Sequence, residues 1–96
     1  MSDYIKYEVN VYKNGDKFWY KEVKLHRIDG PACVYANGNI SWYIKGKLHR
    51  IDGPAIEFAN GSKNWYVNGK LHRIDGPAIE HSDGSNIGIK KDSYIG

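Results

Sequence analysis

The sequence holds one cysteine, Cys33, in 96 residues, together with one methionine and three prolines. A lone thiol closes no intramolecular disulfide, so no covalent framework staples the fold and a reducing cytoplasm is the expected compartment. No apolar run approaches the roughly 20 residues that cross a bilayer as a helix. The segment Met1-Ser2-Asp3-Tyr4-Ile5-Lys6 lacks the apolar core of a secretion signal, which predicts none. Helix itself is not expected, because no segment free of Gly or Pro shows a 3.6-residue apolar period. Charge of one sign is also never concentrated. Fourteen basic and eleven acidic residues are interleaved, the net charge is +3, and only three of the cations are arginines, Arg27, Arg50 and Arg73. That is thin for a surface that tracks nucleic-acid phosphates, so nucleic acid is set aside as a partner.

Aromatic residues supply what the aliphatic ones do not. They make up 14% of the chain, mostly as eight Tyr and three Trp, within an apolar share of 41%. A chain this short is one domain, near the lower limit at which a single core supports folding. Large amphipathic rings therefore have to provide much of the burial, and rings can also line a binding surface.

The dominant feature is a repeat of 23 residues. Trp19-Tyr20, Trp42-Tyr43 and Trp65-Tyr66 recur at that spacing. The octapeptide Leu-His-Arg-Ile-Asp-Gly-Pro-Ala occurs three times unchanged, starting at Leu25, Leu48 and Leu71. Asn14-Gly15, Asn37-Gly38 and Asn60-Gly61 open the units, and Asp83-Gly84 opens a degraded fourth. One domain, 1–96, thus comprises a leading half-unit (7–13), three full units (14–36, 37–59, 60–82) and a trailing half-unit (83–96) with Gly88-Ile89 at the Trp-Tyr position. Atypical ends are the caps of repeat arrays.

Two short β-type runs fall in each unit, one around Trp-Tyr and one after Gly-Pro, separated by turn pairs such as Asn68-Gly69 and Lys45-Gly46. The first unit has Glu22-Val23 there, which predicts a different turn. The expected fold is all-β, with seven or eight short strands forming a single elongated antiparallel meander sheet. Alternation assigns Cys33, Ile56, Phe58 and Ile79 to the core face and Glu57 and Glu80 to the wet face. Trp and Tyr then point to opposite faces, with the Trp ladder read as core and the Tyr ladder as displayed.

The Trp-Tyr pair, the Gly-Lys, the His and the closing Asn-Gly or Asp-Gly resemble the MORN-type repeat, in the variant Trp-Tyr-x-x-Gly-Lys-Leu-His-Arg-x-Asp-Gly-Pro-Ala found in phage, bacterial and giant-virus proteins. The resemblance covers Tyr7 to Ile89, and Val23 and Gly88 depart from the pattern. It implies stacked antiparallel hairpins used for protein or ligand contacts. In a phage setting it implies an anti-defence protein in the host cytoplasm that sequesters a nucleotide signal.

Candidate site residues are those the repeat holds constant. His26, His49 and His72 are spaced two strands apart, roughly 9–10 Å, too far to share a metal ion, so each is expected to bond backbone in its own turn. Arg27, Arg50 and Arg73 each precede an Asp by two residues. In one reading the Asp accepts backbone N–H groups before Gly-Pro with the Arg as its brace. In the other, the guanidinium is a fork for a phosphate or carboxylate, with Tyr20, Tyr43, Tyr66 and Trp42 beside it. No Ser-His-Asp order, phosphate loop or paired carboxylates support catalysis, and no cofactor is implied. The function expected is non-enzymatic binding of an anionic, nucleotide-type small molecule, or of a protein partner through the sheet face or an edge strand. A single small sheet also leaves one face uncovered, which predicts a homodimer.

Overall fold

The computed structural model describes residues 6–84 and 86–87. Every regular element in it is a strand: β1 (Glu8–Val11), β2 (Lys17–Lys21), β3 (Lys24–Leu25), β4 (Cys33–Val34), β5 (Ile40–Ser41), β6 (Tyr43–Ile44), β7 (Lys47–Leu48), β8 (Ile56–Glu57), β9 (Lys63–Asn64), β10 (Tyr66–Val67), β11 (Lys70–Leu71), β12 (Ile79–Glu80) and β13 (Asn86–Ile87). The main sheet is an antiparallel meander in the order β1-β2-β4-β5-β8-β9-β12-β13, with β3 folded back on β2. Seven inter-strand steps of about 4.8 Å give about 34 Å, and the molecule measures 42 × 32 × 18 Å. Gly88-Ile89 and Met1–Ile5 lie outside the described residues. No helix among the described residues is long and apolar enough to cross a membrane.

The all-β antiparallel expectation holds, but the sheet is not one uninterrupted meander. β6–β7 and β10–β11 stand apart as two-stranded hairpins. The cause is a change of partner at each tryptophan. The Trp42 N–H donates to Ala55 O at 2.7 Å, while the Trp42 carbonyl accepts from His49 N at 3.0 Å. Trp19 and Trp65 repeat the arrangement with Ala32 and His26, and with Ala78 and His72. Before the Trp a strand pairs with the post-Gly-Pro run; after it, the same strand pairs with its own hairpin return. The octapeptide spans the gap between those two partners.

Two turn types alternate along the array. At one rim, Gly15, Gly38, Gly61 and Gly84 have φ of 91° to 100° and donate to the carbonyls of Tyr12, Tyr35, Phe58 and His81. This is a type I turn closed by a glycine bulge. The Asn14, Asn37 and Asn60 Oδ1 atoms stabilise it by accepting the N–H two residues on, as Asx turns do. At the other rim, two-residue turns have positive φ at both positions: Glu22-Val23 (53°, 61°), Lys45-Gly46 (52°, 82°) and Asn68-Gly69 (53°, 81°). The first unit therefore makes the same turn as the others, contrary to expectation. Val23 is a β-branched residue held in the left-handed region, where its Cβ crowds the backbone.

Burial is slight. Among the described apolar residues only Ala32, Cys33, Ala55 and Ala78 are fully enclosed. Trp19, Trp42 and Trp65 are half-buried rather than core, as are Tyr20, Tyr43 and Tyr66, because one layer cannot surround a large ring. Hydrogen bonds between units compensate. Ala36 N–H donates to Asp16 Oδ1 at 2.7 Å, Ala59 N–H to Asn39 Oδ1 at 2.7 Å and Ser82 N–H to Ser62 Oγ at 3.0 Å. At the opposite rim Gly46 N–H donates to Leu25 O and Gly69 N–H to Leu48 O.

Candidate functional site

The octapeptide folds into a clamp around its own arginine. Arg27, Arg50 and Arg73 lie over Trp19, Trp42 and Trp65, with Cζ 4.0, 4.0 and 3.7 Å from the ring centroids. In each, Nε donates to the Asp two residues on (Asp29, Asp52, Asp75) at 3.1–3.3 Å. Nη1 donates to the carbonyl of Pro31, Pro54 or Pro77 at 3.1–3.2 Å. Stacking on the indole and bonding a loop carbonyl are both uses of the planar, always-charged guanidinium that lysine cannot copy. The aspartates accept from the guanidinium and not from backbone N–H groups, so the Asx reading of that carboxylate is corrected.

The glycine of each clamp has a reason different from the one that turns usually supply. Gly30, Gly53 and Gly76 do not have positive φ. A Cβ on any of them would stand 2.8–2.9 Å from the arginine Cζ. Only a residue without a side chain lets the loop close over the guanidinium.

Units differ at one partner. Arg50 Nη1 also donates to Glu57 Oε2 at 3.3 Å, and Arg73 Nη1 to Glu80 Oε2 at 2.6 Å. The equivalent residue in the first unit is Val34, so Arg27 lacks the second carboxylate.

The histidines bond the next unit's turn, not their own. Lys45 N–H donates to His26 Nδ1 at 2.9 Å and Asn68 N–H to His49 Nδ1 at 3.0 Å. An accepting Nδ1 requires a neutral ring with its proton on Nε2. Burial, then the nearby Lys21 and Lys45, hold His26 below its ordinary pKa, against a smaller opposing pull from Glu22.

The candidate residues therefore do not form one site. Arg and Trp share a face. Tyr20 alternates with Trp19 and points to the other. Tyr43 lies near Cys33 and Tyr66 on that same opposite face, where burial raises its pKa. Burial also raises the Cys33 thiol, and pushes Tyr35 beside it up to about 12. Both shifts favour the protonated form near neutral pH. Among the described residues no group of three His, Cys, Asp or Glu side chains is placed to hold a metal ion.

A cleft of about 650 Å³ opens between the second and third clamps. Its walls include Ile51, Asp52, Trp65, Val67, Ile74 and Asp75. Sequence reasoning passed over the isoleucines, yet Ile28, Ile51 and Ile74 are 57%, 75% and 67% exposed. The usable signal was their identity in all three copies, while Phe18, Ser41 and Asn64, which are less exposed, differ.

Compared with known proteins, the chain matches no family profile, no curated protein and no solved structure.

Proposed function

We propose that this protein is a non-enzymatic binding module that docks a protein partner along the rim formed by its octapeptide loops. The carrying observation is the row of exposed Ile28, Ile51 and Ile74, each next to an exposed aspartate and repeating about every 10 Å. Exposed apolar side chains that do no packing are the usual substance of an interface. The arginines support this reading by being engaged elsewhere: in the second and third units each bonds two carboxylates and a carbonyl.

Charge selects the partner. Around the cleft, Arg50, Arg73 and Lys63 face Asp52, Asp75, Glu57 and Glu80; Lys63 lies opposite both glutamates in the ladder. In the walls of the cleft itself Arg50 and Arg73 balance Asp52 and Asp75, and both guanidiniums are already bonded to carboxylates, which disfavours a nucleotide there. The cleft suits a lysine or arginine side chain of the partner, its aliphatic stem between Ile51 and Ile74 and its head at Asp52 and Asp75. Dimerisation through the face carrying Tyr12, Phe18, Tyr35 and Phe58, and residence in a reducing cytoplasm, belong to the same proposal. The aromatic contacts Tyr12–Phe18 and Phe18–Tyr35, both at 5.4 Å, and the unpaired Cys33 support them.

The test is an array of synthetic 12-residue peptides of graded charge, probed alongside ATP with the wild type and with the Ile51→Ser/Ile74→Ser variant. Basic, apolar peptides are expected to bind the wild type only, with melting unchanged between the two proteins. Preference for ATP or for acidic peptides, or full binding by the variant, refutes the docking rim.

A further inference from the structure

We infer that the first unit carries an oxyanion subsite on the Arg27 guanidinium, at the place where the other two units put their own glutamate carboxylates. This is independent of the docking rim. The three arginines adopt one pose, and two of them show what the pose accepts: a carboxylate oxygen on Nη1, from Glu57 at 3.3 Å and from Glu80 at 2.6 Å. In the first unit Val34 stands at that register position. Arg27 keeps Nε on Asp29 and one Nη1 N–H on Pro31 O. The second Nη1 N–H and both Nη2 N–H groups have no partner among the described residues.

Three features make this more than a spare donor. The fork is already ordered, stacked 4.0 Å over Trp19 and pinned by two hydrogen bonds, so an incoming anion does not have to immobilise a flexible side chain. The Arg27 side chain is not sealed in, being 23% exposed. A second cation stands close by. Lys17 pairs directly with Val34 across the β2–β4 ladder, and directly opposed residues share a face. Asp16 alternates to the other face, where it holds the Ala36 N–H. Arg27 and Lys17 thus face one carboxylate, Asp29, whereas Arg50 and Lys63 face two, Asp52 and Glu57. The local balance is positive in the first unit and neutral around the second arginine.

The chemistry that fits is an oxygen anion with two coplanar oxygens, taken by Nη1–H and Nη2–H together. A carboxylate from a partner side chain and a phosphate group both meet that description.

The experiment is a titration of the full chain at low salt with acetate and, separately, inorganic phosphate, followed by the arginine side-chain signals in 15N–1H spectra. The Arg27 signal is expected to shift saturably, while Arg50 and Arg73 stay in place. Tighter binding of acetate assigns the site to a partner carboxylate; tighter binding of phosphate assigns it to a phosphate group. Val34→Glu fills the subsite from within and should weaken either anion by about tenfold or more. Glu57→Val should transfer a response to Arg50, which keeps the test open if Val34→Glu fails to fold. A silent Arg27, equal shifts at all three arginines, or an undiminished response in folded Val34→Glu overturns the subsite.

Discussion

The first unit and the two that follow build the same clamp from the same octapeptide, yet they diverge on either side of it. Before it, a two-residue turn with both φ positive is made by Lys45-Gly46 and Asn68-Gly69, and also by Glu22-Val23. After it, Glu57 and Glu80 complete their arginines while Val34 does not. The backbone is indifferent to both substitutions, because the geometry is held by bonds that all units share: Trp backbone to Ala and His, and guanidinium to Asp and Pro. Side chains outside that shared set are free to diverge, and divergence there is what gives one unit a different charge.

The comparison breaks most visibly at the arginines. Arg50→Ala removes an indole stack and a charge-assisted bond to Pro54 O, and leaves Glu57 unpaired, so it should cost about 3 kcal/mol. Arg27→Ala should cost roughly 0.5 kcal/mol less, since it releases no second carboxylate. Urea unfolding midpoints of the two variants measure the difference; equal losses would mean that Glu57 contributes nothing to the clamp.

Gly53→Ala is next, at about 2 kcal/mol, the usual cost of forcing extra volume into a closed space. The three heavy atoms nearest the added methyl all belong to the Arg50 guanidinium. Its cost should therefore vanish in an Arg50→Ala background, and a double-mutant cycle reads that coupling directly. Additive losses would show that the loop backbone, not the arginine, excludes a side chain.

Val23→Gly should stabilise the chain by about 1 kcal/mol by relieving left-handed strain at a position that is 87% exposed. Gly69→Val should destabilise by a similar amount. Thermal melts of both variants test whether the first unit bears strain that the third does not.

The smallest effect is acid sensitivity at the junction of the first and second units. The folded pKa of His26 lies below its ordinary 6.5, so the unfolded chain takes up the proton first. The stability contributed by neutral His26 is complete above pH 6.5 and is lost as the pH falls through the lower, folded value. Hydrogen exchange of the Lys45 amide should accelerate over that interval. His26→Asn offers an acceptor that does not titrate, and should flatten the profile.

Much of the plan was legible because the repeat states it three times. The 23-residue period, the strand pairs and the turn pairs all follow from residues that favour strands and from Asn-Gly punctuation. The clamp was legible only in outline. Arg and Asp two apart suggest a brace, but nothing in local spacing indicates that the Trp eight residues earlier lies beneath the guanidinium. The glycine was equally opaque: a Gly before Pro suggests unusual φ, whereas here it leaves room. The histidine bond was misassigned to its own turn because its partner, nineteen residues ahead, is set by how units stack.

By itself, then, the sequence determined the antiparallel hairpin array, since alternation and turn chemistry act over a few residues and are written locally. Tertiary structure alone decided which face each ladder takes, which donors the arginines spend and which isoleucines are left over. Those outcomes depend on distances between units, and a distance between units is a property of stacked strands. Val34 shows the division most plainly. As a letter it is an unremarkable strand residue, and only in the ladder, opposite Lys17 and beside Arg27, does its missing carboxylate become a place for an anion.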